Sequence, residues 1–251
     1  MVRLLRGVVV AVGDARAGGL ELEVEVDGEL FPALAYLGLT GPVVNGDEVV
    51  LNTSAVELGL GTGGTHFVVS VAGSRVDLDE GRVMKARYTP LQAAVRSVEE
   101  THRDLLESSR GLEGLPVVCA PLHSMIAPVA AGAKAAGAER VAYVMTDGAA
   151  LPGSFSRLVP RARDAGLIDG FVSAGQAFGG ELEAVTLWTG LLAAREIIDA
   201  DVVIVADGPG NLGTDTTWGV SALASGESLN AVETLGGRPI AALRISFVDA
   251  R

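Results

Sequence analysis

Apolar and polar positions alternate strictly from Leu20 to Asp27. Leu20, Leu22, Val24 and Val26 are interleaved with Glu21, Glu23, Glu25 and Asp27, the period of two expected of a strand with one buried face. Asp27-Gly28 supplies a tight-turn signal before Glu29 to Tyr36, and Asn45-Gly46 supplies another before Glu48 to Leu51. His66 to Ala72 is a further apolar run. Short strands joined by turn chemistry predict a small β-barrel or sandwich over residues 1–84.

Beyond Val83 the rhythm changes. Short, mainly apolar runs lie at Val117 to Ala120, Val141 to Met145, Phe171 to Ala174, Val202 to Ala206 and Ile240 to Phe247. Helical patterns alternate with them at Met125 to Ala136, Ser154 to Ala165, Glu183 to Ile198 and Thr217 to Leu235, and a first helix is expected from Leu91 to Leu106, opened by Thr89-Pro90. Strands apolar on both faces, separated by helices, predict a Rossmann-like, mainly parallel open sheet with helices on both faces over residues 85–251.

Composition narrows the class of partner. The 251 residues carry 31 acidic against 19 basic side chains, a formal charge of −12, and only 4% aromatics. Such a surface repels nucleic-acid phosphates and anionic membranes, and no dense basic run or stacking platform offsets it. Gly114 to Ala133 is free of formal charge and long enough to span a bilayer, but Pro116, Pro121, Pro128 and His123 argue against a span. The lone cysteine, Cys119, forms no internal disulfide and sits in an apolar run. The expectation is a cytoplasmic protein and, by default, a homo-oligomer.

Ligands of open parallel sheets bind beyond the carboxyl ends of the strands. Those loops hold His123 and Ser124, then Asp147, then Gly175 and Gln176, then Asp207 to Asp215. His123 can exchange a proton near neutral pH, and Asp147 and Asp207 can serve as general base, metal ligand or hydroxyl acceptor; each can equally cap a helix. Gly208, Gly210 and Gly213 form a G-x-G-x-x-G loop with Asn211 and Thr214 at hand. Asp207 beside it opposes a phosphate, and Asp249 is too distant to be the fingerprint's ribose-binding acid. In the N-terminal part, Gly61, Thr62, Gly63, Gly64, Thr65 and His66 form a second glycine-rich loop whose amides can accept an anion. No nucleophile elbow, H-E-x-x-H, paired C-x-x-C or P-loop signature is present.

Gly61-Thr-Gly-Gly-Thr-His66, Met84-Lys-Ala-Arg-Tyr-Thr-Pro-Leu-Gln92, Pro121-Leu-His-Ser-Met-Ile-Ala-Pro128, Val144-Met-Thr-Asp-Gly-Ala-Ala-Leu-Pro152 and Ala206-Asp-Gly-Pro-Gly-Asn-Leu-Gly-Thr214 together resemble a bacterial family known only as a domain of unknown function. The resemblance spans nearly the whole chain and implies no activity or catalytic residue.

The residues themselves support an expectation of a small polar, phosphorylated or nucleotide-like metabolite. It would be held between the β unit and the strand-end loops, with His123 and Asp147 as acid/base candidates. Asp207 would orient the ligand or a divalent metal, and the two glycine loops would act as backbone donors. The rival expectation is a non-catalytic ligand sensor or scaffold.

Overall fold

A computed structural model describes residues 2–76, 81–245 and 247. The chain divides into two compact units, one of residues 1–79 and 86–93, the other of residues 80–85 and 94–251.

The first unit is a closed barrel of β1 (Leu4–Arg16), β2 (Gly19–Val26), β3 (Glu29–Tyr36), β4 (Glu48–Asn52) and β5 (His66–Val71), in the order β1-β2-β3-β5-β4. Strands β1 to β3 form a meander and β4 returns beside β1, a Greek key that β5 closes by pairing parallel to β3 and antiparallel to β4. Short helices α1 (Leu37–Thr40) and α2 (Ser54–Glu57) lie in the connections. The alternation read from β2 is realised: Leu20, Leu22, Val24 and Val26 point into the core with Val9, Val49 and Leu51. Asp27 and Gly28 both adopt positive φ, +52° and +86°, the backbone that a two-residue hairpin turn demands. Gly7 of β1 lies in this core, and a Cβ there would sit 2.9 Å from the Glu25 carbonyl oxygen and 3.1 Å from Leu51.

The second unit begins with a two-stranded sheet, β6 (Val83–Lys85) with β7 (Ala93–Val95), and continues through α3 (Val98–Thr101) and α4 (Arg103–Ser108). The helix expected from Leu91 therefore starts seven residues later. Thr89 closes a local turn instead, donating to the Ala86 carbonyl and accepting from the Leu91 amide. The helix opens after Ser97, whose amide donates to the Glu100 carboxylate at 3.0 Å.

The remaining elements are β8 (Pro116–Cys119), α5 (Ile126–Ala135), β9 (Val141–Thr146), α6 (Leu158–Asp164), β10 (Gly170–Ser173), β11 (Leu182–Glu183), α7 (Leu187–Glu196), β12 (Val202–Asp207), α8 (Ala224–Thr234) and β13 (Arg238–Ala241). The six strands form an all-parallel sheet in the order β11-β10-β9-β12-β8-β13. Glu183, expected to open a helix, belongs to the edge strand β11. Helix α7 starts later because Thr186 caps it, its hydroxyl accepting the Thr189 amide while its own amide donates to Thr189 Oγ1. Asp249 and part of the Ile240 to Phe247 run lie outside the described residues.

The apolar strands bury both faces. Val141, Tyr143, Met145 and Ile204 pack with Ile126 and Ala130 of α5 and Val159 and Ala162 of α6. Ala142, Val144, Val203 and Val205 pack on the other side with Leu191 and Ala194 of α7 and Ala231 and Val232 of α8. Connections from β8 to β9 to β10 thus run over one face, and the returns to β12 and β13 over the other, as a uniform right-handed crossover requires. Strand β12 is the consequence that matters. It sends its chain to the face opposite that used by both its neighbours, β8 and β9, so the crevice of the sheet opens at its carboxyl end. No helix among the described residues is long and apolar enough to cross a membrane.

Replacing Gly7 by valine should overpack the barrel and cost about 1–3 kcal/mol. A chemical denaturation curve would report it as a lower midpoint for the barrel transition.

Candidate functional site

Asp207 is the last residue of β12 and is buried, with 6% of its surface exposed. Its Oδ1 accepts the Thr146 hydroxyl at 2.6 Å and the Gly148 amide at 3.1 Å. The loop after β9 can approach this closely only because residue 148 is glycine, since a Cβ there would lie 2.6 Å from both carboxylate oxygens. Asp207 lines a narrow cleft of about 10 Å³ with Ala120, Pro121, Thr146, Ser225 and Ser228. That is about the space of a single water or one hydroxyl or ammonium group, far below the usual 300–1,000 Å³ of a pocket enclosing a whole ligand.

His123 stands on the other side of the same peptide. It is 8% exposed, in a 3₁₀ turn at the end of β8. The Ser156 oxygen accepts the amides of Leu158 and Val159, both at 3.1 Å, at the start of α6. With its lone pairs so used, Ser156 donates its hydroxyl proton to His123 Nε2 at 2.7 Å. The remaining proton of the neutral ring then lies on Nδ1, which donates to the Asp207 carbonyl at 3.2 Å. The Tyr143 hydroxyl donates to the same carbonyl at 3.1 Å, and the Tyr143 ring stacks on Phe171 at 5.3 Å. Burial lowers the pKa of His123, an effect partly countered by the bond to the Asp207 carbonyl. The Tyr143 hydroxyl is pushed well above its ordinary value by burial and by the Asp207 charge.

Asp147 follows Thr146 just beyond the end of β9, in a bend. It is exposed, and its Oδ2 accepts the Gln176 amide at 2.7 Å. Gly175, at φ +68°, makes that contact accessible, since a Cβ there would lie 2.3 Å from the same oxygen. The structure therefore brings His123 and Asp207 together and ties Asp147 to the neighbouring loop. Ser124 is exposed in the turn beside His123.

The G-x-G-x-x-G loop does not run directly into a helix. After Gly213 the chain bridges back, Gly213 to Val220, and α8 begins only at Ala224. The geometry in which a helix N-terminus meets a pyrophosphate at the last glycine is therefore not formed here. Gly208 is required by packing, because a Cβ would lie 2.3 Å from the Ala150 carbonyl oxygen. Gly210, at φ +102°, has open space around it. Asn211 ties the loop to β8, donating to the Pro121 carbonyl at 3.1 Å, and the Thr214 hydroxyl donates to the Gly219 carbonyl at 3.0 Å.

The second glycine loop belongs to the barrel unit. Gly63 and Gly64 have positive φ and open surroundings. His66 opens β5, is 4% exposed and packs its ring on Phe31 at 5.0 Å. Its Nδ1 and the Thr62 hydroxyl are buried without hydrogen-bond partners among the described residues. Burial lowers the His66 pKa, with Glu57 opposing. Gly61 and Thr65 complete the loop.

Sequence reasoning missed a buried charge cluster at the β10/β11 end of the sheet. Lys85 of β6 is 1% exposed, and its ammonium donates to the carbonyls of Ala184 at 2.7 Å and Ala177 at 3.0 Å, with Glu183 at 3.6 Å. Glu183 in turn accepts the Ser173 hydroxyl and the Gly179 amide, each at 2.6 Å. Burial pushes the Lys85 ammonium down and the Glu183 carboxyl up, and each charge counters the shift of the other. Ala177 follows Gln176, so Lys85 anchors the turn whose amide holds Asp147. A Val-Met-Lys run at a strand end was the available signal, but lysines are so rarely buried that the pattern reads as surface.

Among the described residues no group of three or more His, Cys, Asp or Glu side chains has metal-binding geometry.

Two measurements test these assignments. His123 is depressed below its unfolded pKa of 6.5, so the unfolded state binds more protons below that value. Stability contributed by the neutral ring is present above pH 6.5 and is lost as pH falls through it. Urea titrations between pH 7.5 and 5.5 should show this loss, and a smaller slope in His123→Gln. Lys85→Met should cost about 3–5 kcal/mol by stranding Glu183, and adding Glu183→Gln should restore most of it, read as coupling in a double-mutant cycle.

No curated protein is similar enough in sequence to match the chain. Residues 32–251, which include the barrel's closing strands, the Asp207 cleft and the Lys85 cluster, match the family described as Protein of unknown function (DUF3866), and the chain belongs to that family.

Proposed function

We propose that the α/β unit binds a small polar metabolite at the carboxyl end of β12, and that Asp207 is its principal recognition group. The observation that carries this reading is the placement of a buried carboxylate at the switch point of a parallel sheet, with one oxygen already held by Thr146 and Gly148. Ser225 and Ser228 donate their hydroxyl protons to carbonyls of their own helical region, Ala222 at 2.8 Å and Ala224 at 3.4 Å, so they offer lone pairs towards the cleft. A carboxylate and two such oxygens favour a group that donates, such as a sugar hydroxyl or an amino group.

The phosphorylated or nucleotide-like remainder of the ligand extends from the cleft over the open backbone around Gly210 and Asn211, where amides offset its charge. Asp147, exposed at the neighbouring strand end, is the group with access to a reacting atom and serves as general base if the ligand is turned over. His123 is a positioning residue in this reading, because both its ring nitrogens are engaged in holding the Asp207 peptide and the start of α6. A divalent cation carried in with the ligand would meet Asp207 and the Thr146 hydroxyl first. Cys119 takes no part, since burial raises its thiol pKa to about 12. A buried, protonated thiol is consistent with a reducing, cytoplasmic setting. The second reading is a non-catalytic ligand sensor or an oligomeric scaffold, and the small volume of the cleft favours the scaffold.

A thermal-shift screen of sugar phosphates, nucleotides and divalent cations tests the proposal. A ligand at 100 times its Kd should add about 2.7 kcal/mol of stability. Asp207→Asn keeps the shape and an acceptor oxygen, so its ligand-free melting temperature should stay near that of the parent while the ligand-induced shift disappears. An unchanged shift in Asp207→Asn would place recognition elsewhere.

A further inference from the structure

The loop between β12 and α8 is unusual in what it exposes. Gly213 and Val220 form an antiparallel bridge, the Thr214 amide donates to the Gly219 carbonyl, and the Ser221 amide donates to Leu212, so the loop is a small hairpin with a defined shape. Its apolar side chains face outward: Trp218 is 82% exposed, Leu212 70% and Leu223 49%. Asp215 is the single charged residue between Gly208 and Leu223.

A second apolar segment leaves the sheet nearby. The four residues of β13 are all exposed, and beyond it Leu243, Ile245 and Phe247 are 78%, 73% and 100% exposed at alternate positions. Both segments are tied to the chain at the end of β8, the hairpin through Asn211 to Pro121, two residues beyond the strand, and the tail through the Ala242 amide to the Cys119 carbonyl. Direct extension of the sheet is hindered at this edge. The amides of Arg238 and Ala242 point to β8, which places Pro239 on the outer side, where it lacks a donor. The side chains, rather than the strand edge, are what this surface offers.

We infer that this surface is the interface of a two-fold homodimer. The six apolar side chains can bury on the order of 700 Å² per copy, close to the roughly 800 Å² per partner of a stable complex. The patch also complements itself electrostatically. Asp215 lies on the hairpin and Arg238 and Arg244 on the strand and tail, so a two-fold axis can set the acid of one copy against a base of the other. On a chain of net charge −12, residues 208–223 and 238–247 carry one acid and two bases, which lowers like-charge repulsion between copies at these segments. The inference does not depend on the ligand proposed for Asp207.

The full chain, followed by sedimentation from 0.1 to 100 μM, tests it. The parent should be a dimer, and Trp218→Glu or Leu243→Glu should weaken association by about 30-fold or more, as loss of a central aromatic anchor does, with an unchanged circular dichroism spectrum. In a Trp188→Phe background, where Trp218 is the remaining tryptophan, emission should shift to shorter wavelength as the dimer forms. A monomer throughout the range, a dimer indifferent to both substitutions, or a monomer that pellets with phospholipid vesicles would each overturn the inference.

Discussion

A carboxylate and a peptide carbonyl buried at the end of a central strand must be satisfied from the strands beside it, and at Asp207 that requirement organises the carboxyl edge of the sheet. The side chain is met from β9, by Thr146 and the Gly148 amide. The carbonyl is met from the turn that follows β8, by His123, and from inside β9, by Tyr143. Ser156 then joins His123 to the first turn of α6. One residue thus links three adjacent strands and a helix, and a buried polar group left without any of these partners would cost more than the bond itself contributes.

The same edge carries a second polar centre with a different balance. Lys85 donates to two carbonyls and is ion-paired with Glu183 at 3.6 Å, and Glu183 accepts from Ser173 and Gly179. Such a buried, mutually compensated pair holds the turn and the edge strand in place. Asp147 lies between the two centres, fixed through one oxygen by the turn that Lys85 anchors, and exposed to solvent. The edge therefore carries two buried, hydrogen-bonded centres and one exposed carboxylate between them.

Much of the architecture was legible because burial leaves a period in the sequence. The alternation of Leu20 to Val26 and the all-apolar runs at Val141 and Val202 reported which faces are covered, and the barrel and parallel sheet follow. Helix starts were less legible. The expected helix at Leu91 and the early start at Glu183 failed because Ser97 with Glu100, and Thr186 with Thr189, set those boundaries through side-chain capping that apolar spacing does not encode. The G-x-G-x-x-G pattern was visible as letters, yet Gly208 turns out to relieve a clash with Ala150 and the following helix is delayed past a hairpin.

The sequence by itself determined the alternation of elements, the division of polar residues onto strand-end loops and the acidic balance, since these depend on local periods and on composition. Only the tertiary structure decided which polar residues meet. His123 is 84 residues from Asp207 and 33 from Ser156, and Lys85 is 99 from Ala184. Contacts at such separations are set by the strand order, in which β12 inserts between β8 and β9, and no local pattern in the chain specifies that insertion.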